Sequence, residues 1–395
     1  MKQQTQTNKI EWKEVKLKEV ALIDSGQGAP QGDNYFKGEN IFIRAGDLNN
    51  LTSSIYVGDY CGKITEEAIK KYKLKKYKKD SIVFPKSGMS INTGNIAVIK
   101  KDSYVVNHLA IIEPSKEINH LFLFYLLKKI GIAHLSRDSS YPSIRISDIE
   151  LIKIPLPFSN GKPDLKEQEK IVNILEKAEK LKERGKNANY LLDEYLKSTF
   201  NEMFLKDKFE MVSLKQVCPI LRKSILPEKL DKGLYYVGLE HIESQTGIIL
   251  QKLNAKSQNL KSNKFLFDAD CILYGKLRPY LNKIALPNFE GVCSTDILPL
   301  KPERDKANKY YIAYLLKTKN FVDRANSLCA GANLPRLSPK DLENLKIPLP
   351  PLPLQQKFAK IVEQVEKMKE NVKETNLNSK MLFDSLMQKA FRGEL

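Results

Sequence analysis

The feature that most constrains this chain is that its sequence is written twice. Leu151-Ile152-Lys153-Ile154-Pro155-Leu156-Pro157 returns 193 residues later as Asn344-Leu345-Lys346-Ile347-Pro348-Leu349-Pro350, and an aspartate, Asp148 or Asp341, stands just upstream of each copy. Ile174–Glu183 returns 187 residues later as Ile361–Glu370, and that register holds without a gap to Phe204 and Phe391 and places Gln168 on Gln355. The openings match as well, Trp12–Val20 with Phe209–Val217, 197 residues apart. A period of half the chain is far longer than that of a solenoid. Two similar halves therefore follow one another, about 12 to 205 and about 209 to 395.

Each half reads in two parts. The first is α+β: short apolar runs broken by Gly, Pro and Asn, such as Asn40–Arg44, Asp80–Phe84, Asn95–Ile99 and Asp270–Tyr274, then a short helix around Leu121–Lys129 or Tyr310–Lys319. The second is one long helix. Asp164 and Glu167 have the spacing of a capping box. Beyond them Ile171, Ile174, Ala178, Leu181, Ala188, Leu192 and Tyr195 recur in steps of three and four, matched by Phe358, Ile361, Val365, Met368, Val372, Thr375 and Leu382. A helix of this length, on the order of 60 Å at ~1.5 Å per residue, outruns its own globule. The other long helix is its simplest partner, in an antiparallel pair; the alternative is that the stripes pack on the globular parts as ordinary core. Gly185 interrupts the first stripe, as a close crossing or as a weak point. The expected fold class is α+β, with two similar recognition domains (1–154 and 207–347), two long antiparallel coiled-coil helices (155–206 and 348–395) and a pseudo-two-fold internal repeat.

Lys plus Arg number 65 against 47 Asp plus Glu, a formal charge of +18, which points to a polyanion such as nucleic acid. The longest apolar run, Leu121–Leu127, is too short to span a bilayer, and Met1–Thr5 has no apolar signal region, so a soluble, cytoplasmic protein without a membrane partner is expected. Five scattered cysteines, none in Cys-x-x-Cys spacing, and four dispersed histidines suggest neither a disulfide framework nor a metal site.

Two diverged reading units on antiparallel helices would suit two half-sites on duplex DNA, a bipartite and asymmetric target with a fixed gap. The run Lys70–Lys79, which follows the helix-start signal Thr65-Glu66-Glu67, offers Lys75, Lys76, Lys78 and Lys79 to phosphates, or is a solvated helix face. For base edges the candidates are Arg44, Lys86, Ser87 and Asn92 in the first unit and Lys223, Lys276 and Arg278 in the second. Tyr141 and Arg145, with Arg336, occupy equivalent loops before the repeated aspartate.

Catalytic patterns are missing. There is no Asn/Asp-Pro-Pro-aromatic tetrapeptide for a flipped adenine, no phosphate-binding Gly-x-x-x-x-Gly-Lys-Ser/Thr and no Gly-x-Ser-x-Gly. Gly26-Gln27-Gly28-Ala29-Pro30-Gln31-Gly32 has its third glycine one position late and reads as a loop. The Glu-x-Lys pairs at Glu11 and Glu14 lack a preceding Pro-Asp.

The doubled Lys-Ile-Pro-Leu-Pro, Gln168 and Gln355 before long helices, the strand-like openings at Leu17 and Leu214, Cys293-Ser294-Thr295-Asp296-Ile297 and the final Ala390–Leu395 occur in an order that resembles a specificity subunit of a Type I restriction-modification system. The resemblance runs from Trp12 to Leu395. It implies two target recognition domains reading a split double-stranded DNA sequence, joined by helices that act as a ruler and as a dock for two methyltransferase subunits. It implies no cofactor and no catalysis in this chain. S-adenosylmethionine, ATP and Mg2+ would belong to the methyltransferase and the restriction/translocase partner subunits. About six extra residues between Pro157 and Gln168 set the first copy apart at the helix entry. Two other readings compete: the recognition region of a fused methyltransferase-nuclease, and a protein-only coiled-coil tether.

Overall fold

The computed structural model describes residues 10–51, 54–136, 142–230, 233–258, 260–331 and 333–395, without the side chain of Lys186. Tyr141 and the opening Met1–Thr5 lie outside the described residues. The chain forms two compact units: residues up to 187 together with 374–395, and residues 188–373.

In the first unit a five-stranded sheet runs in the order Ala21–Ser25, Leu109–Pro114, Ile82–Pro85, Ala97–Ile99, Tyr56–Val57; all neighbours are antiparallel except the last pair. The strand Ile82–Pro85 is buried on both faces, because the helix His120–Ile130 covers one side and the cluster around Phe42, Ile64 and Tyr77 the other. That explains its unbroken apolar run. In the second unit Ile272–Gly275 lies between Ile284–Ala285 and Ile297–Leu300, and a separate five-stranded sheet is built on Gly291–Cys293. None of the helices among the described residues is long and apolar enough to cross a membrane.

The doubled Lys-Ile-Pro-Leu-Pro is a strand in both units, paired antiparallel with Glu11–Lys16 or Glu210–Ser213. Ile154, Leu156 and Ile347 point inward, while Pro155 and Pro157, two residues apart, remove N–H groups from one edge only, so pairing on the other edge survives. The strand-like openings end earlier than expected. Leu17–Val20 and Leu214–Val217 are single helical turns whose ends bury Leu17, Val20, Leu214 and Val217. Likewise the cationic run is helical only over Glu66–Lys71, with Thr65 Oγ1 accepting from Ala68 N. Beyond it the chain turns at Tyr72 and Lys73 and is no longer helical, so Lys75–Lys79 share no helix face.

The long helices are Leu165–Phe204 and Leu352–Ala390. Asp164 caps the first by accepting from the N–H groups of Lys166 and Glu167. The reciprocal half of the box is missing, since the Asp164 N–H donates to Pro157 O and the Glu167 carboxylate takes Lys170.

Both units hold an antiparallel helix pair. In the first, Lys182 Nζ lies 5.3 Å from the centre of the Phe383 ring and Gly185 faces Asn376, so numbers fall on one helix as they rise on the other. In the second, Asp193 pairs with Lys369 at 2.6 Å, and Phe358 packs edge-on against Phe200 and Phe204 with centroids 5.4 and 5.5 Å away. A Cβ on Gly185 would overlap the Asn376 side-chain oxygen, so the glycine marks a close crossing.

The seam needs correcting at alternate positions. Ile171, Ala178, Phe358 and Val365 are buried and Leu192 is half-buried. Ile174 and Ile361 lie at the flank, and Leu181, Met368 and Leu382 are exposed. The inward residue is in each case the next one: Leu175, Lys182, Val362, Lys369 and Phe383, and likewise Leu196 instead of Tyr195. Steps of four then three place these on one face, but two of them are lysines that pack along their stems while their ammonium groups find Phe383 or Asp193. A search for apolar residues alone takes the neighbour instead.

The repeated glutamines tie helix to globule. Gln168 is fully buried; its Oε1 accepts from Asn119 N at 2.8 Å and its Nε2 donates to Glu117 O at 3.3 Å. Gln355, also fully buried, accepts from Asn308 N at 2.9 Å and donates to Pro350 O and Lys306 O at 2.7 and 3.4 Å. Asn119 and Asn308 are themselves the N-caps of the short helices, so one glutamine satisfies backbone groups that the helix start leaves open.

Candidate nucleic-acid interface

In each unit two loops meet where a buried strand ends. The strand Ile82–Pro85 continues into Lys86-Ser87-Gly88, held by three backbone bonds: Lys86 N to His108 O at 2.9 Å, Gly88 N to Pro142 O at 2.8 Å and Ile144 N to Lys86 O at 2.8 Å. Ile272–Gly275 continues into Lys276-Leu277-Arg278 with the same three: Lys276 N to Asp296 O at 2.9 Å, Arg278 N to Pro335 O at 2.8 Å and Leu337 N to Lys276 O at 3.0 Å. Isolated bridges match too, Ser87 with Ser143 and Leu277 with Arg336. One backbone corner is thus built twice, which equates Lys86 with Lys276, Gly88 with Arg278, His108 with Asp296 and Ser143 with Arg336.

The side chains at the corner differ. In the first unit Ser87 Oγ and His108 Nδ1 stand 2.7 Å apart. In the second, Asp296 Oδ1 accepts from Arg336 Nε at 3.4 Å and lies 4.0 Å from Lys276 Nζ. Gly88 adopts φ +80°, where glycine is at ease, but its counterpart Arg278 sits in the left-handed region at φ 52° and ψ 66°. The Nε of Arg278 is buried without a hydrogen-bond partner. A strained, unsatisfied arginine at a position where the other half keeps glycine is the kind of cost found at functional sites.

The corner brings together Lys86 and Ser87 with Arg145 next to Ile144 in the first unit, and Lys276, Arg278 and Arg336 in the second. Asn92 lies on the turn Met89–Thr93 that follows directly and is exposed. The other candidates lie elsewhere. Arg44 stacks on Phe36, 4.3 Å from its ring centre. Lys223 flanks the edge strand Ser224–Ile225, its carbonyl accepting from Leu266 N. In the cationic run Leu74 and Tyr77 are buried anchors between exposed lysines. Lys75 is engaged with Asp24 at 2.5 Å and Glu113 at 3.9 Å; although burial opposes it, this contact holds the Asp24 carboxyl below its ordinary range. Lys76 lies over Tyr104, and Lys78 and Lys79 remain exposed.

His108 and Asp296 were not among the DNA-contact candidates, although Asp296 stands in the Cys293–Ile297 motif that carries the resemblance. A signal for them exists: an offset of 188 superposes Asn107-His108-Leu109 on Thr295-Asp296-Ile297. Burial pushes the Cys61 and Cys271 thiols up to about 12, which disfavours the thiolate near neutral pH. Among the described residues no group of His, Cys, Asp or Glu could hold a metal ion. The glycine segment is a loop fastened to the sheet by Gly26 N to Leu109 O and Gln27 N to Val105 O.

The family model described as the Type I restriction modification DNA specificity domain matches residues 9–189 and again 206–379, one copy in each half. The specificity subunit of the Type I restriction enzyme EcoDI of Escherichia coli is 28% identical over 330 residues, 72% of either chain. A putative MjaX specificity subunit of Methanocaldococcus jannaschii is 23% identical over 344 residues, 80% of this chain and 77% of the relative. Among solved structures, the S subunit of a Type I restriction-modification system from M. genitalium aligns over 98% of both chains at 18% identity with a TM-score of 0.57. A chain from a study of assembly and conformational transition of the type I R-M system aligns over 97% of this chain and 98% of its own at 19% identity, TM-score 0.59. These likenesses extend to the fold of two repeated recognition domains with helical linkers. With the family model covering both halves, the chain belongs to the specificity subunits of Type I restriction-modification systems.

Proposed function

We propose that this subunit reads a bipartite, asymmetric double-stranded DNA target in the cytoplasm, one half-site per unit. The chain itself is non-catalytic in this reading and carries no cofactor. Two methyltransferase subunits bring S-adenosylmethionine and methylate adenine, and ATP- and Mg2+-dependent restriction subunits cut unmodified DNA. The observation that carries the reading is the corner built twice from equivalent backbone with different side chains. Equal frames position equal contacts, and unequal side chains ask for unequal bases. The cationic excess supports a polyanionic partner.

Exposed apolar side chains on the long helices support a protein partner there. Leu181, Leu377 and Met381 in the first unit, and Tyr190, Leu191, Tyr195 and Met368 in the second, are about half exposed or more.

Selection from a random duplex library, with the full chain and its methyltransferase partner at near-physiological salt, tests the reading. The expected result is a split consensus with two different halves and a constant gap. Binding that carries no consensus and falls evenly with salt would leave a basic tether.

A further inference from the structure

In a chain proposed to hold a polyanion, the carboxylate at the corner of the second unit is out of place. Asp296 is only partly covered, with 28% of its side chain exposed, and it sits at the mouth of the loop pair beside Lys276, Arg278 and Arg336. A phosphate drawn to those cations would be repelled by it, so as a plain backbone clamp it weakens the surface. Its geometry gives a different role. Oδ1 takes the Nε–H of Arg336, and the guanidinium is planar, so this bond restricts the directions in which the two terminal amino groups can point. The Arg336 side chain is 48% exposed. The two parallel N–H donors at the end of a guanidinium match O6 and N7 of guanine in the major groove, the commonest specific contact of arginine. Lys276 at 4.0 Å balances the same carboxylate without competing for the guanidinium plane.

The internal repeat supplies the control. The first unit has the same backbone corner but places Ser143 where the second has Arg336, and His108 where it has Asp296. Its Ser87–His108 pair offers a hydroxyl and an imidazole, and no paired donors held by a carboxylate. We infer that Arg336, with Asp296 as its positioning residue, specifies a guanine in the half-site read by the second unit, and that the first unit makes no such contact. The inference rests on the reading of this chain as a two-headed DNA reader.

The test compares wild type, Asp296→Asn, Arg336→Lys and Arg336→Gln, each as the full chain with its methyltransferase partner, by selection from the same random duplex library. Wild type should return a guanine in one half-site. Asp296→Asn and Arg336→Lys should each reduce the preference for guanine at that single position by on the order of ten- to a hundredfold. The rest of that half-site and the whole of the other should stay unchanged. Arg336→Gln should remove the preference and weaken binding to the cognate sequence more than to random duplex. The intact other half-site doubles as evidence that each variant is folded, and a thermal melt checks the second unit directly. Unchanged consensus in all three variants overturns the inference while leaving the two-headed reading standing, as does a loss spread evenly over both half-sites in folded protein. Absence of any wild-type consensus overturns both.

Discussion

At the residue scale, the repeat lets each unusual side chain be judged against its counterpart in the same molecule. Arg278 and Gly88 occupy one backbone position, and only glycine holds a left-handed conformation without strain. Arg278→Gly should therefore leave stability unchanged or raise it by up to about 1 kcal/mol, the relief at φ offset in part by the freer unfolded chain. DNA affinity should nevertheless fall. Thermal melting beside a binding titration checks the two signs, and a variant that binds DNA as wild type does would show that the arginine is only tolerated. The run from Lys75 to Lys79 shows the reverse lesson. A dense cationic run suggests a phosphate surface, yet Lys75 is bound to Asp24 and Glu113, and Leu74 and Tyr77 are core. Charge was legible from the sequence; which cations had acidic neighbours in space was not, because Asp24 lies 51 residues away.

At the element scale, the long helices are the most legible part of the chain, and their seams the least. Length and the three-four spacing were enough to predict a helix, but the inward face turned on whether a lysine stem or an adjacent leucine packs, and that depends on what the opposing helix presents. Phe383 and Asp193 favour Lys182 and Lys369. The repeated glutamine gains a physical reason at this scale: it closes the start of a neighbouring helix. Gln355→Leu would strand the Asn308 N–H and two carbonyls in a buried site, so it should destabilise by about 1–3 kcal/mol. Denaturant titration measures the loss. Hydrogen exchange should show the Asn308 amide exposed and Asn119, held by Gln168, protected as before; equal loss at both amides would refute the assignment of one glutamine to each unit.

At the scale of the whole molecule, each long helix begins in the core of one compact unit and ends in that of the other. Ile171 and Leu175 pack with Phe383 and Met387, while Phe200 and Phe204 pack with Phe358 and Tyr311. The equivalent residues Phe204 and Phe391 seat on the equivalent residues Tyr311 and Phe122. If the helices act as the ruler that the family resemblance implies, deleting one heptad from each, residues 182–188 with 373–379, changes the preferred gap between half-sites and leaves both half-sites as they were. Selection from a random duplex library reads both properties at once; altered half-sites with an unaltered gap would refute the ruler.

What the sequence by itself determined was the repeat, and with it the two α+β units, the two long helices and the family. These follow from patterns that are local or simply copied, and such patterns survive in one dimension. What only the tertiary structure decided was partnership. It brought Lys86 to His108 and Ile144, and Lys276 to Asp296 and Leu337, through backbone hydrogen bonds between segments up to about sixty residues apart. It also set Asp296 beside Arg336, turning an arginine among many into one oriented by a carboxylate. Composition and spacing carry no record of which distant groups share a hydrogen bond, because that is settled by how strands register and loops close around a common core.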